Sequence, residues 1–278
     1  QKNKWLPLIV KGEKIGAFAL TEPDVGTDAR NVKTSYVIED DRFILNGKKK
    51  WITFGEIADF FIVTACSNNE VSTFIVEKTT IGVKSIPIKG LLASRASHIA
   101  EVHFDNVVIP KENLLGKIGI GFTYVVNTAL DYGRYSIAWA GLAIAQEALE
   151  AMIGYARDRK QFGKSLYNFQ LIQGMIGDAV TKVHAARAMC LRVAKLRDEN
   201  HEDAIIETSI AKYFSSKVAM EITTDAVQIH GGNGCYNKFP VERLFREAKI
   251  LEIIEGTSQI QQEIISRFGL RRYYIKNL

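Results

Sequence analysis

The stretch of the chain best suited to chemistry is Lys249–Ile260, KILEIIEGTSQI. Ile250, Leu251, Ile253 and Ile254 make an apolar run that Glu255 interrupts, and Gly256 follows. Ser258 with Gln261 three residues on has the spacing of a capping box, so a helix is expected here, over Thr257–Phe268. A carboxylate therefore stands at a hinge between an apolar segment and a helix N-terminus. Apolar surroundings raise a carboxyl pKa and a helix N-terminus lowers it. A group held between those pulls suits a general base. It equally suits a plain first-turn acid stabilised by the helix dipole, and the local sequence leaves both open.

Four further stretches carry polar chemistry. GAFALTEPDVGTDA (Gly16–Ala29) is a strand followed by a loop with Pro23, Gly26 and the hydroxyls of Thr21 and Thr27. Such a loop offers N–H groups and hydroxyls to an anion or a polar ring edge, or is an ordinary turn. In GKKKWITFG (Gly47–Gly55), the lysines read as a solvated face, and Trp51 and Thr53 alternate onto one face of a strand. ARDRKQFGKSL (Ala156–Leu166) ends a helix with Gly163 as its stop, and Arg159 and Lys164 complement the helix C-terminus. In QIHGGNGC (Gln228–Cys235), Gly231 and Gly232 let backbone approach a phosphate. HGG also occurs in esterase oxyanion loops, but no G-x-S-x-G elbow accompanies it. Nor is there a G-x-G-x-x-G run, so a Rossmann site is unsupported. Arg134, on a mostly apolar helix, needs an anionic partner, and Gly133 before it costs a helix about 1 kcal/mol against Ala.

The elements that must position these groups fall into two halves. From Lys14 to about Pro110, short β-branched and aromatic segments alternate with turn signals such as Asn46-Gly47 and Ile81-Gly82. Strands are expected at 15–20, 35–39, 43–45, 60–65, 73–76 and 102–104, forming an antiparallel sandwich or barrel. His103 falls on the outer face of the last strand, and His98 in a loop. From Gly121 the periodicity becomes helical. Leu142, Ala145, Leu149 and Met152 share one face. Phe169, Ile172, Ile176, Ala179, Val183, Ala186, Cys190 and Val193 form a heptad-like seam, and Ile210, Phe214, Val218, Ile222, Ala226 and Ile229 a third stripe. His184 and Cys190 read as bundle residues. The expected fold is α+β, with a β-barrel or sandwich domain over 1–116 and an antiparallel four-helix bundle over 117–278.

Bulk composition narrows the partners. The 278 residues are 47% hydrophobic and 24% charged, with net charge +5, a mild excess that suits a phosphorylated ligand and is no argument for nucleic acid. Cys66, Cys190 and Cys235 show no metal or disulfide spacing, which points to a reducing, cytoplasmic setting. No stretch reads as a membrane span or signal peptide, and a chain opening on Gln1 reads as processed, trimmed or partial.

KILEIIEGTSQIQ resembles the C-terminal catalytic segment of the acyl-CoA dehydrogenase family, and four further segments match that family in the same order. The resemblance implies an FAD-dependent α,β-dehydrogenase of acyl thioesters, with Glu255 as the α-proton base, flavin N5 as hydride acceptor, and backbone at Gly256 and the side chain of Arg134 beside the substrate. Some branches place their base just before that arginine, where this chain has Gly133. TEPDVGTD is similar to the family's TEPxAGSD signature, which assigns Phe18, Leu20, Thr21, Gly26 and Thr27 to the flavin. KKWITFG is similar to K-x-W-I-T-N-G, which sets Trp51 against the flavin and Thr53 near N5. R-x-x-F-G-K implies that Arg159, Gln161 and Phe162 reach FAD across a subunit boundary. Q-x-x-G-G-x-G implies Gln228, Gly231 and Gly232 on the adenine–pyrophosphate side, with Thr257 and Gln259 closing the site. The flavin is then expected between the sheet domain and the bundle. RASHIAEVHFD resembles the branch acting on carrier-protein-bound acyl groups in polyketide extender-unit pathways, so the thioester is acyl-CoA or acyl-carrier-protein. An electron-transfer flavoprotein or oxygen would accept the electrons, and a homodimer or homotetramer is implied. The family's N-terminal helical domain has no counterpart in this sequence. The alternative is a family-like flavoprotein that binds a partner or nucleic acid without dehydrogenase activity, with the Lys48–Lys50 run as its local support.

Overall fold

In the computed structural model, which describes residues 1–274, the chain divides into two compact units at Ala129/Leu130. Residues 275–278, the end of the expected helical domain, lie outside the described residues. The division falls after the expected residue 116 because the chain beyond β-structure still clings to the sheet. Leu115 N donates to Thr73 O at 2.8 Å, and Leu114 and Ile120 bridge Phe74 and Val71.

The first unit opens with a helix α1 (Lys2–Val10), outside the expected elements, whose Trp5 is buried on Phe60 with ring centroids 4.5 Å apart. The strands are β1 (Gly16–Ala19), β2 (Ser35–Glu39), β3 (Arg42–Ile52), β4 (Phe60–Ser67), β5 (Glu70–Glu77), β6 (Val83–Pro87) and β7 (Ala100–Pro110). They form one curled sheet in the order β1-β4-β2-β3-β7-β6, with β5 also on β4. It is mixed rather than antiparallel throughout: β1 and β2 both run parallel to β4. The cause is local at β1. Asp59 takes the Ile15 N–H (2.8 Å) and the Lys14 ammonium (2.8 Å), laying Gly16 beside Phe60 in the same direction. A β-carbon on Gly16 would meet the Phe60 ring at 2.6 Å, so only glycine lets the ring cross. Alternation then fills the inside of the curl with Tyr36, Phe43, Leu45, Phe61, Val63, Phe74, Val102 and Phe104. Glu101 and His103 face outward, as the spacing predicts.

The second unit holds most of α2 (Asn127–Asp158), then a two-stranded hairpin β8 (Lys160–Gln161) and β9 (Lys164–Ser165), and helices α3 (Gln170–Asp198), α4 (Ala204–His230), α5 (Val241–Leu251) and α6 (Ser258–Arg272). The extra helix α5 corrects the four-helix expectation. Its buried Val241, Leu244, Ala248 and Leu251 follow a helical period that the KIL run had disguised as a plain apolar segment. Gly163 is a hairpin residue and not a helix stop: Phe162 (φ 51°) and Gly163 (φ 78°) are successive left-handed residues, the geometry of a tight hairpin. The α2 seam buries its expected residues, and α3 buries Ala179, Val183, Ala186, Cys190 and Val193, while Ile172 and Ile176 are half-buried and Phe169 stands at the N-cap. On α4 the expected Val218, Ile222, Ala226 and Ile229 are buried, Ile210 and Phe214 are half-buried, and the buried face widens to take in Thr208, Ala211, Lys212, Ser215 and Ala219. Such small residues bring helices close: a β-carbon on Gly141 of α2 would lie 2.8 Å from Ser215 backbone. The stretch Gly121–Asp158 is long and apolar enough by composition to cross a membrane, which corrects the expectation that none is. Its apolar side, from Ala138 to Ala156, is packed into the bundle core.

Candidate active site

Glu255 lies in the link between α5 and α6, and its backbone is unusual. Glu255 (φ 54°) and Gly256 (φ 95°) are consecutive left-handed residues, a conformation costing a non-glycine about 1–2 kcal/mol. Side chains from three helices hold it. Arg134 Nε of α2 (3.2 Å) and Gln261 Nε2 of α6 (3.1 Å) donate to Glu255 O. Lys212 Nζ of α4 (2.7 Å) and Gln261 Nε2 (3.4 Å) donate to Gly256 O. Thr257 caps α6, its hydroxyl accepting from Ile260 N at 3.3 Å. The expected Ser258/Gln261 capping box is therefore displaced: Ser258 is the first helical residue, and Gln261 turns back to the loop carbonyls, joining Arg134 and Lys212 there. Gln259 is exposed on α6.

The carboxyl group is mostly buried, and burial pushes its pKa above the usual glutamate value, while the charges of Arg134 and Lys212 pull it back. The downward pull thus comes from two cations, the half-buried Arg134 and the fully buried Lys212, where the sequence suggested the helix N-terminus. Lys212 is fully buried, and desolvation, aided by Arg134, lowers its pKa to about 8 against the opposing pull of Glu255 and Glu252. Desolvation likewise lowers Arg134, against Glu255 and Asp131. The carboxylate occupies the space a side chain at Gly133 would take: a β-carbon there would fall 2.2 Å from Glu255 Oε2.

The glycine-rich loop after α4 is anchored on one side and bare on the other. His230 is buried, stacked on Tyr155 at 4.1 Å, and Asn233 Nδ2 donates to the Tyr155 hydroxyl at 2.8 Å. Gly231 adopts φ 58°, ψ −137°, a glycine-only conformation, and β-carbons on Gly231 or Gly232 would meet nothing within 4 Å. Gln228 beside them is exposed. On the β8–β9 hairpin, Arg159 and Gln161 are exposed and Phe162 at the tip is 92% exposed.

In the first unit, the two sequence motifs meet. Lys50 N donates to Thr21 O at 2.8 Å, stitching the loop after β1 to the end of β3. Leu20 is buried, Phe18 and Thr21 are partly buried, and Gly26 and Thr27 are exposed, with open space at Gly26. Trp51 and Thr53 are both exposed, yet strand alternation is not the reason. Trp51 has φ 62° at a register shift between Lys49 and Ile52, and Thr53 lies in the turn beyond β3. The solvated lysine run is also corrected: Lys48 is exposed but Lys49 is fully buried. Its ammonium donates to Glu22 Oε1 (2.8 Å), Leu20 O (3.0 Å) and Thr64 Oγ1 (2.9 Å). Glu22 also accepts from Lys33 N and Thr34 N. Burial lowers Lys49 to about 8. Burial alone would raise Glu22, but the charge and hydrogen bond of Lys49 outweigh it and hold the carboxyl below its usual range.

The family model described as the acyl-CoA dehydrogenase C-terminal domain matches residues 119–270, and that of the middle domain matches 17–107. The chain belongs to the acyl-CoA dehydrogenase family. The short-chain-specific acyl-CoA dehydrogenase of Clostridium acetobutylicum is 40% identical over 271 residues, 96% of this chain and 71% of that protein. A subunit of the caffeyl-CoA reductase–Etf complex of Acetobacterium woodii is 40% identical over 98% of this chain and 73% of its own. The butyryl-CoA dehydrogenase structure from Megasphaera elsdenii superposes with a TM-score of 0.93 at 38% identity, covering 97% of this chain and 72% of that one. As an acyl-CoA dehydrogenase family member, the chain is an FAD-dependent oxidoreductase. Each unit, taken by itself, offers groups of the kind that cofactor needs: in the second, β-carbons on Gly231 or Gly232 would meet nothing within 4 Å, which leaves backbone open to a phosphate, and in the first, Trp51 presents an exposed ring and Thr27 an exposed hydroxyl.

Lys212 and the Lys49–Glu22 pair were missed by sequence reasoning, which gave Gln261 a capping role in place of its hold on the Glu255 and Gly256 carbonyls. The available signal was a lysine among small residues on a helix face, TSIAK in α4, where burial is the rule and charge the exception.

Proposed function

We propose that this acyl-CoA dehydrogenase family chain removes the α-proton of an acyl thioester with Glu255 as base. The observation that carries the reading is the Glu255 carboxyl itself: mostly buried, raised in pKa, flanked by two cations, and seated where Gly133 has no side chain. An α-proton of a thioester is a weak acid, so a base gains from desolvation, and the developing enolate charge needs fixed donors and positive charge nearby. Arg134 and Lys212 provide that charge, and the clamped Glu255–Gly256 backbone fixes where the carboxylate points. FAD, when bound, supplies the acceptor for the β-hydride. Phe18, Leu20, Thr21, Gly26, Thr27, Trp51, Thr53, Gln228, Gly231, Gly232, Thr257 and Gln259 would hold it, with Arg159, Gln161 and Phe162 reaching the cofactor of a neighbouring subunit in a homo-oligomer. The substrate is a CoA thioester and the electron acceptor an electron-transferring flavoprotein, in line with the butyryl-CoA and caffeyl-CoA–Etf relatives. Acyl-carrier-protein thioesters of the polyketide kind form the second arm of the screen. A nucleic-acid-binding role loses its local support, since the middle of the Lys48–Lys50 run is buried.

The test is anaerobic reduction of the bound flavin by butyryl-CoA and by acyl-carrier-protein thioesters. Glu255→Gln is expected to retain FAD and to slow bleaching at least about a hundredfold. Undiminished bleaching by the variant would remove Glu255 from the reaction.

A further inference from the structure

We infer that Lys212 is a positioning residue for Glu255, holding the left-handed Glu255–Gly256 pair from inside the bundle and supplying the charge that keeps the carboxyl ionised. The inference rests on the proposed role of Glu255 as base.

Geometry comes first. Lys212 has no exposed surface, and its ammonium spends a 2.7 Å hydrogen bond on Gly256 O. The neighbouring carbonyl of Glu255 is held by Arg134 and Gln261, and Gln261 also reaches Gly256 O. Two successive carbonyls are thus clamped from α2, α4 and α6. A neutral amide, Gln261, already performs the anchoring, so an anchor alone gives no reason to bury an ammonium. Buried ammonium groups are costly unless an anion compensates.

The charges facing Lys212 identify that anion. From α2 comes Arg134, which is repulsive and is itself drawn first toward Glu255 and then toward Asp131. From the end of α5 comes Glu252, already engaged by Lys249 at 2.8 Å and Lys217 at 3.4 Å. From the α5–α6 link comes Glu255, the foremost attraction on Lys212. Glu255 has no carboxylate companion at Gly133, so its ionisation leans on the two cations. Removing one of them shifts its proton equilibrium upward, whereas a purely structural lysine would leave that equilibrium alone.

The experiment uses the FAD-loaded protein and three variants. Lys212→Gln keeps a donor and loses the charge, Lys212→Met loses both, and Lys212→Arg keeps the charge. Single-turnover flavin reduction by the accepted thioester is followed against pH. The acid limb, set by Glu255, is expected to move up by about one pH unit in the Gln and Met variants, about a tenfold loss of rate on that limb. Lys212→Arg is expected to return it to the wild-type position. Independently of activity, hydrogen exchange of the Gly256–Ser258 amides is expected to quicken in the Met variant and less in the Gln variant. An acid limb that coincides with wild type in the Gln variant, or one shifted equally by Arg, overturns the inference. Should the Met variant fail to fold, the Gln and Arg variants decide. Glu255→Gln run alongside separates the two ideas: if it still reduces flavin, the base assignment falls, and if it is inactive while Lys212→Gln titrates as wild type, only the Lys212 inference falls.

Discussion

Gly133 of α2 and Glu255 of the α5–α6 link share one volume: where glycine lacks a β-carbon, the glutamate places its carboxyl, 2.2 Å from the missing atom. A mid-helix glycine normally costs about 1 kcal/mol against alanine. Here the cost has a use, since any side chain at 133 would displace the carboxyl group. Gly133 is thus part of the seat of the base, and the absence of a carboxylate there leaves Glu255 without a like-charged neighbour at that position.

Gly133→Ala should therefore separate stability from catalysis. Helix propensity gains about 1 kcal/mol, partly offset by the clash, so the melting temperature should change little. The carboxyl must swing away, and flavin reduction should fall at least about tenfold with FAD content unchanged. Thermal melts and anaerobic bleaching check both halves. A variant as fast as wild type would show that the shared volume has no bearing on the reaction.

Glu255→Gln should stabilise the fold at neutral pH while abolishing activity. The sign follows from linkage. The folded pKa of Glu255 is raised, so between its unfolded value of 4.5 and the folded value the native state binds more protons. Stability from this group is greatest below 4.5 and falls as pH rises through the folded pKa. Glutamine cannot ionise and escapes that loss. Melting curves from pH 4 to 8 should show the variant equal to wild type at the acid end and more stable at the neutral end. Curves that diverge in the opposite sense would mean that Arg134 and Lys212 over-compensate the burial.

What the amino-acid order made legible was periodic or local. The β2 span, the outward Glu101 and His103, the α2 and α3 seams and the Glu255 hinge all follow from alternation, helical period or a cap-like pattern. What it concealed depends on contacts distant along the chain. Nothing local at Lys49 distinguishes it from Lys48, because its burial is decided by Glu22 and Thr64. Lys212 sits on a small-residue face of α4, and its partners, the Gly256 carbonyl and the Glu255 charge, come from the distant α5–α6 link. The parallel β1–β4 pairing turns on one carboxylate, Asp59, taking Ile15 N–H and Lys14 together. Gly163 reads as a helix stop in the sequence because a glycine after a helix and a glycine in a hairpin look alike until the following residues pair back.

The Lys49–Glu22 pair should prove to be the fastening of the loop proposed to hold FAD. Both groups are buried, and Lys49 also binds Leu20 O while Glu22 gathers Lys33 N and Thr34 N, so the pair closes the base of the loop carrying Thr21, Gly26 and Thr27. Removing one partner strands the other charge, a loss of about 3–5 kcal/mol for a buried pair. Lys49→Met and Glu22→Gln should each lower the melting temperature markedly and release FAD, read as free flavin on desalting. The double variant should lose less than the sum of the singles, since it leaves no orphaned charge. Glu22 has a lowered folded pKa, so its contribution is present above its unfolded value of 4.5 and is lost as pH falls through the folded value. Wild-type FAD retention should accordingly weaken in acid, and in the double variant this pH dependence should be reduced. Additive losses, or single variants that keep FAD as wild type does, would mean that the loop is held by its backbone bonds, such as Lys50 N to Thr21 O, and not by the buried pair.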